Sequence, residues 1–434
     1  QPESPKNHQY AADLLDDESA LGLLIPIEVF LHHLRGRAVG LLDHLDAERV
    51  DRRVEPHVVG LSKLFPHGDG EQQAGVIFSK DDKIRIAEKL AEVGIHRIEA
   101  GMPAVSPNDE AALREIVKRN LSSEIFCFAR CMVPDVELAA DCGVDGIVIE
   151  IPSSKHLIEK GYRWPMEKAI ELSITATSAA KRAGLKTVFF TIDATRSDMD
   201  WLLDLVDRVA IEGHMDAFTL VDTFGVLSPQ AATYFAKKVK ERISKPIEVH
   251  FHPDFGMGVA NTVNAVLAGA EVIHTTVLGI GERAGNTPME ETVLALLTMY
   301  GIDVGIDFSK LNELAALVQK LSGFQVPPNR PFIGKNAYNI ESGIVTGWYK
   351  NVFEFDPTIV YPVNPSFVGH DAPNILMGKK SGIDNIELWT KKLGIELARH
   401  EAMAVLQIVK QQSHDLKRVL TEDEFVEIIR EIKA

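Results

Sequence analysis

Two stretches carry the densest chemistry in this chain. They are Val249-His250-Phe251-His252-Pro253-Asp254-Phe255-Gly256 and, further on, Gly281-Glu282-Arg283-Ala284-Gly285-Asn286. Alternate side chains of an extended strand share a face, so His250 and His252 point one way and Phe251 the other. Two imidazoles side by side at a strand end make half of a metal site. A His-x-His pair alone is as readily a core or surface feature, so the reading rests on its surroundings. Glu99, Arg130, Asp193 and Thr223 stand at the ends of other β-branched runs, and Asp69 and Gln72 lie just after the first of them. Asp69 with the two imidazoles would converge on one cation and leave positions open for substrate. That set suits non-haem iron, and equally magnesium, manganese or zinc acting as a Lewis acid. The glycines of Gly279–Asn286 let backbone approach a ligand closely, and Asn286 can add an oxygen ligand. Asp69 alone reads as a solvated turn residue. Glu99 has fewer bland readings, because an ionised carboxylate facing a protein interior needs a partner.

The elements that must position these residues alternate. Strands are expected at Val58–Leu64, His96–Met102, Glu124–Arg130, Gly146–Ile151, Lys186–Asp193, Ala217–Thr223, Ile247–His252 and Val272–Leu278. Amphipathic stretches such as Asp81–Val93, Asn108–Arg119, Pro165–Ala183, Asp198–Glu212, Pro229–Ile243 and Ala260–Ala268 separate them. Such alternation means a parallel sheet. An open doubly wound sheet usually carries a Gly-rich dinucleotide turn after its first strand, and none is present. The chemically interesting residues fall at the C-terminal ends of several strands, where a closed barrel gathers its active site. The expected fold is an α/β (β/α)8 TIM barrel over 56–303. An N-terminal segment, 1–55, precedes it, and a mostly helical arm, 304–434, follows. In the arm, helices are expected at Ser309–Leu321, Ile386–Leu393, Glu396–Ser413 and Glu422–Ile432, with loops from Gly334 to Gly382. This arm is suited to packing on a neighbouring subunit.

Bulk composition agrees with an ordinary globular enzyme: 434 residues, 45% hydrophobic and 25% charged. A formal charge of −16 disfavours nucleic acid or an anionic membrane as the main partner. Cys127, Cys131 and Cys142 imply no disulfide framework and suit a reducing cytoplasm, the expected location. No apolar run reaches membrane-spanning length, and Leu21 to Leu31, which contains Glu28, does not read as a signal peptide.

Six motifs, in order, resemble the homocitrate synthase / isopropylmalate synthase family, part of a metal-dependent barrel group that includes hydroxymethylglutaryl-CoA lyase. They are Asp69-Gly-Glu-Gln-Gln-Ala-Gly75, Ile98-Glu-Ala-Gly-Met-Pro103, Asp193-Ala-Thr-Arg-Ser-Asp198, Asp222-Thr-Phe-Gly225, His250-Phe-His252 and Gly279-Ile-Gly-Glu-Arg-Ala-Gly-Asn286. The match runs from 69 to about 300. Gly334–Gly343 and Gly378–Gly382 extend it more weakly into the arm. The last barrel motif resembles the synthases; the lyases carry a cysteine there. The resemblance implies Claisen-type condensation of acetyl-CoA with a 2-oxo acid held on a divalent cation (Mg2+, Mn2+ or Zn2+). Thioester hydrolysis then gives a 2-hydroxy diacid. By position it implies Asp69, His250 and His252 as metal ligands, with Asn286 as a further ligand or orienter. Gln72, Glu99, Arg130 and Thr223 would line the 2-oxo acid site. Asp193, Glu99 and Tyr361 would take catalytic positions, and a homodimer would form through the arm.

The chain departs from the family in places that matter. The family's Asp-Thr-Thr-Leu-Arg-Asp reads Leu64-Phe65-Pro66-His67-Gly68-Asp69, so an arginine is replaced by Gly68. Losing one preorganised donor typically costs about 10²–10³ in rate. The family's strand-five glutamate falls at Ile192, and two arm histidines fall at Ile340 and Val345. Residues 20–67 hold no family motif and read as a stretch translated out of frame, with the missing peptide expected in another frame of the coding DNA. Ile192, Ile340 and Val345 lie inside well-matched sequence and read as real divergence. They point to a changed acyl donor, to a lyase or aldolase on the same scaffold, or to a silent homologue that only binds.

Overall fold

The computed structural model describes residues 63–64, 68–371 and 373–434. The expected segment 1–55, the stretch 20–67 apart from Lys63–Leu64, and the start of the strand Val58–Leu64 lie outside the described residues.

Eight parallel strands close on themselves in sequence order. They are β1 (Lys63–Leu64), β2 (Arg97–Glu99), β3 (Glu124–Arg130), β4 (Gly146–Pro152), β5 (Lys186–Ile192), β6 (Ala217–Asp222), β7 (Ile247–Phe251) and β8 (Val272–Thr275). Closure comes from β1, whose Leu64 pairs with Ile98 on one side and Thr275 on the other. Helices cover the outside, and several start where the sequence provides a cap. Ser79, Ser106, Asp198 and Ser228 each accept a backbone N–H in the first turn of the helix that follows. Among the described residues no helix is long and apolar enough to cross a membrane.

Strand alternation separates two packing layers. Outward residues such as Ile98, Ile147, Ile149, Phe189 and Val249 join the main core against the helices. Inward, Phe126, Phe128, Val148, Val188, Phe190 and Val221 form a separate cluster inside the barrel. At the barrel floor, where the strands begin, the filling is ionic. Buried Glu248 accepts from Arg97 at 2.8 Å and from His274 Nε2 at 2.8 Å. Arg97 also reaches Glu124 at 3.1 Å and lies over the Phe126 ring. Lys186 pairs with Glu124 and continues the network outward.

The arm has its own small core, built on Met377, Ile386, Val405, Val409 and Phe425, from the helices Ile383–Leu393, Arg399–Leu416 and Glu422–Lys433. One expectation is corrected here. The stretch expected as loop from Gly334 to Gly382 contains the helix Gly343–Val352. Its β-branched and glycine content argues against a helix locally. Tertiary contacts hold it, among them Lys350 to Asp384 at 3.0 Å and to Glu387 at 2.5 Å.

Candidate active site at the barrel mouth

Three inward residues of β7 and its extension run up the barrel: Glu248 at the floor, His250 in the middle and His252 at the mouth. Both histidines are buried, and their Nε2 atoms face each other at 3.4 Å. His252 Nδ1–H donates to the Gly285 carbonyl at 2.9 Å, because a carbonyl can only accept. That bond leaves the Nε2 lone pair of neutral His252 directed at the His250 ring. Burial pushes the pKa of His250 well below the ordinary imidazole value, with neighbouring His252 and His274 adding to it. Burial first, and then Arg283, lowers that of His252. Both rings are therefore neutral, the form that ligates a metal.

The donor set fits a divalent cation. Two nitrogens each about 2.1 Å from a tetrahedral ion stand roughly 3.4 Å apart, matching the spacing of the pair. Asn286 adds a buried amide at the mouth whose Oδ1 and Nδ2 have no hydrogen-bond partner among the described residues. Buried amides are seldom left so. A Cβ on Gly281 would sit 2.6 Å from that amide, so glycine makes room for it. Gly285 takes φ +97°, which aims its carbonyl at His252. Among the described residues no three His, Cys, Asp or Glu side chains gather as a metal site. Asp69, expected as the third ligand, belongs to the short helix Gly68–Glu71, and its side chain lies outside the described residues.

Around this centre the other expected residues take definite places. Glu99 is 1% exposed on the same inward face of β2 as Arg97. Asp193, in left-handed backbone at φ 63°, is wholly buried and heavily engaged. Its oxygens accept from Arg196 at 2.6 and 2.9 Å and from Ser154 at 2.5 Å, and His156 Nε2 stands 3.1 Å away. Its backbone N–H donates to Thr223 Oγ1 at 2.7 Å, leaving the Thr223 hydroxyl proton free for another acceptor. Arg130 forms a fork with Asp135, at 2.8 and 2.9 Å. Gln72 is exposed, and it is the neighbouring Gln73 that approaches the Gly281 N–H at 3.5 Å. Tyr361 lies in the arm, where its hydroxyl donates to the Tyr338 carbonyl at 3.0 Å and burial raises its pKa.

Sequence reasoning missed His156, which is half exposed beside Asp193. Its signal was available: a Ser-x-His just past the C-terminal end of β4. A π-helical turn, Leu157–Tyr162, follows it, a distortion common at functional sites.

The family model described as HMGL-like matches residues 68–318. Homocitrate synthase AksA of Methanopyrus kandleri is 39% identical over 364 residues, covering 84% of this chain and 90% of that protein. (R)-citramalate synthase CimA of Methanocaldococcus jannaschii is 36% identical, covering 84% and 73%. The 2-isopropylmalate synthase of the same organism is 36% identical, covering 84% and 66%. Among solved structures, the HMG-CoA lyase of Bacillus subtilis superposes with a TM-score of 0.56 at 19% identity, over 62% of this chain and 95% of that one. At that identity the likeness concerns the fold alone.

Proposed function

This chain belongs to the HMGL-like family, and on that premise we propose that it condenses an acyl-CoA, acetyl-CoA in the simplest case, with a 2-oxo acid. The product is a 2-hydroxy diacid, released by thioester hydrolysis. Three synthase relatives at 36–39% identity support an acyltransferase of this kind. The observation that carries the reading is the pair of neutral imidazoles with Nε2 atoms 3.4 Å apart, together with an Asn286 amide that has no partner among the described residues.

His250, His252 and Asn286, with Asp69, would hold a divalent cation (Mg2+, Mn2+ or Zn2+), and when bound it polarises the keto group of the acid. Gly285 orients His252 through its carbonyl. Thr223 donates its hydroxyl to the acid's carboxylate, and the Asp193 N–H fixes that hydroxyl from behind. Asp193 keeps both oxygens on Arg196, Ser154 and His156, so it orders the mouth and holds the His156 ring. Glu99, Gln72 and Arg130 line the acid site. Tyr361 contributes from the arm, which would complete a homodimer. Ile344 (71% exposed), Trp348 (56%) and Phe355 (77%) make an apolar surface there, supporting that pairing. We place the barrel domain at 56–303 and the arm at 304–434.

One observation favours a second reading. Ile340, at the position of a family histidine, is 4% exposed in the apolar core and cannot move a proton. A carbon–carbon lyase or aldolase on the same scaffold needs no such group. Incubation with acetyl-CoA and a panel of 2-oxo acids, following free thiol, separates the two. Thiol release supports condensation; silence with every acid, in protein that binds Mn2+ by calorimetry and cleaves a 2-hydroxy acid or its thioester, supports the lyase.

A further inference from the structure

Beyond β8 the chain turns back through two consecutive residues in left-handed backbone, Leu278 at φ 64° and Gly279 at φ 65°. Glycine takes that conformation freely, whereas a residue with a Cβ resists it. Such a strained backbone persists only where its surroundings over-determine it.

Two adjacent carboxylates of the helix Met289–Tyr300 supply that hold. Glu290, 1% exposed, accepts the Leu278 N–H at 3.0 and 3.3 Å. Glu291 accepts from Arg330 Nε at 2.7 Å, and Arg330 Nη2 donates to the Leu278 carbonyl at 3.3 Å. Arg330 belongs to the turn Pro327-Pro328-Asn329-Arg330-Pro331 of the arm. The barrel therefore grips the N–H of Leu278 and the arm grips its carbonyl. A Cβ on Gly279 would come within 3.0 Å of Arg330 Nη2, so the guanidinium lies against the glycine backbone.

This turn leads directly into the candidate site. The Gly279 carbonyl accepts the Asn286 N–H at 3.1 Å, and a Cβ on Gly285 would meet the same oxygen at 2.0 Å. The loop is closed tightly at that point. Gly285 orients His252 at 2.9 Å, and Asn286 presents the buried amide. Contacts thus run without a gap from Arg330 to the imidazole pair.

Resting on the function proposed above, we propose that Arg330 is a positioning residue for the cation site. It acts through the Leu278–Gly279 turn and sets where the Asn286 amide and the Gly285 carbonyl stand. The arm thereby takes part in building the metal centre of its own barrel.

Calorimetry with Mn2+ on the full chain, beside urea denaturation, tests this. Arg330→Ala should weaken Mn2+ binding about ten-fold, the low end for outer-shell partners. The protein should stay folded under the assay conditions, since the side chain removed is 27% exposed. Arg330→Lys keeps a cation for Glu291 but not the two-armed fork, so it should restore stability and only part of the affinity. In an Asn286→Ala background the loss from Arg330→Ala should shrink, because the two act along one path. The proposal is overturned if Arg330→Ala binds Mn2+ as the unaltered protein does, or if the two losses multiply in full. Should Arg330→Ala not fold, Arg330→Lys and Glu291→Gln read the same affinity, and no change in either overturns it. Unaltered protein that binds Mn2+ and releases thiol keeps the condensation reading whichever way Arg330 falls; unaltered protein that binds no Mn2+ ends both.

Discussion

The floor and the mouth of the barrel are filled with the same kinds of side chain, yet they are built to opposite ends. At the floor, Glu248 holds Arg97 and His274, both at 2.8 Å. Two residues up the same strand, His250 meets His252 nitrogen to nitrogen across 3.4 Å, and the Gly285 carbonyl orients the His252 ring. A buried imidazole with a carboxylate is a structural pair. Two neutral imidazoles meeting nitrogen to nitrogen suit a shared cation. What distinguishes plug from site is thus the partner, since the residue types match.

The comparison is broken most directly at the histidines. His250→Ala or His252→Ala should lower Mn2+ affinity by more than the roughly 100-fold that loss of an orienting partner costs. Stability should change far less than metal affinity does, as expected of residues that serve a ligand. Calorimetry beside urea denaturation checks both, and unchanged metal affinity would end the site assignment. Glu248→Gln should do the reverse. Breaking a buried ion pair costs about 3–5 kcal/mol of stability, while metal affinity per folded molecule changes only a few-fold. Were metal binding to collapse with stability intact, floor and mouth would be one functional unit.

Asn286→Ala sharpens the contrast. It should weaken Mn2+ binding about 10–100-fold and leave the melting temperature level or higher, since the buried amide removed has no partner among the described residues. The smallest effects are in pH. The pKa values of His250 and His252 lie below the ordinary imidazole value of 6.5, so the unfolded chain takes up protons first. The stability held by their neutral forms is present above about 6.5 and is lost as pH falls from there, together with metal binding. Glu290 has the opposite sign. Burial lifts its carboxyl from 4.5 to about 7, even though it accepts the Leu278 N–H at 3.0 Å. Its contribution, at most about 3 kcal/mol, is complete below 4.5 and disappears as pH rises through about 7. Glu290→Gln should flatten that limb in denaturation curves recorded across the range.

The barrel was legible because its signals are local. The runs Glu124–Arg130 and Lys186–Ile192 are rich in β-branched or aromatic residues, and helices capped by Ser106 and Asp198 precede the first and follow the second. The shared face of the two histidines was legible for the same reason, since strand alternation alone puts His250 and His252 side by side. Glu248 carried the same signal, two residues earlier, and was passed over. Its meaning depends on Arg97, 151 residues away, and no local pattern announces that partner. Asp135 likewise reads as a first-turn helix residue until Arg130 is seen bound to it. The helix Gly343–Val352 went unread because its own propensity opposes it.

The order of strands and helices, the shared face of the two histidines and the glycine loop that reaches them follow from neighbours in the chain. Backbone geometry acts over a few residues. Which charges are silenced was decided only on folding. Arg97 finds Glu248, 151 residues away, and Glu124 only in the closed barrel, and an ion pair depends on distance in space. The same closure brings the Gly285 carbonyl to His252 and leaves the Asn286 amide buried with no partner among the described residues, an arrangement no local pattern could announce.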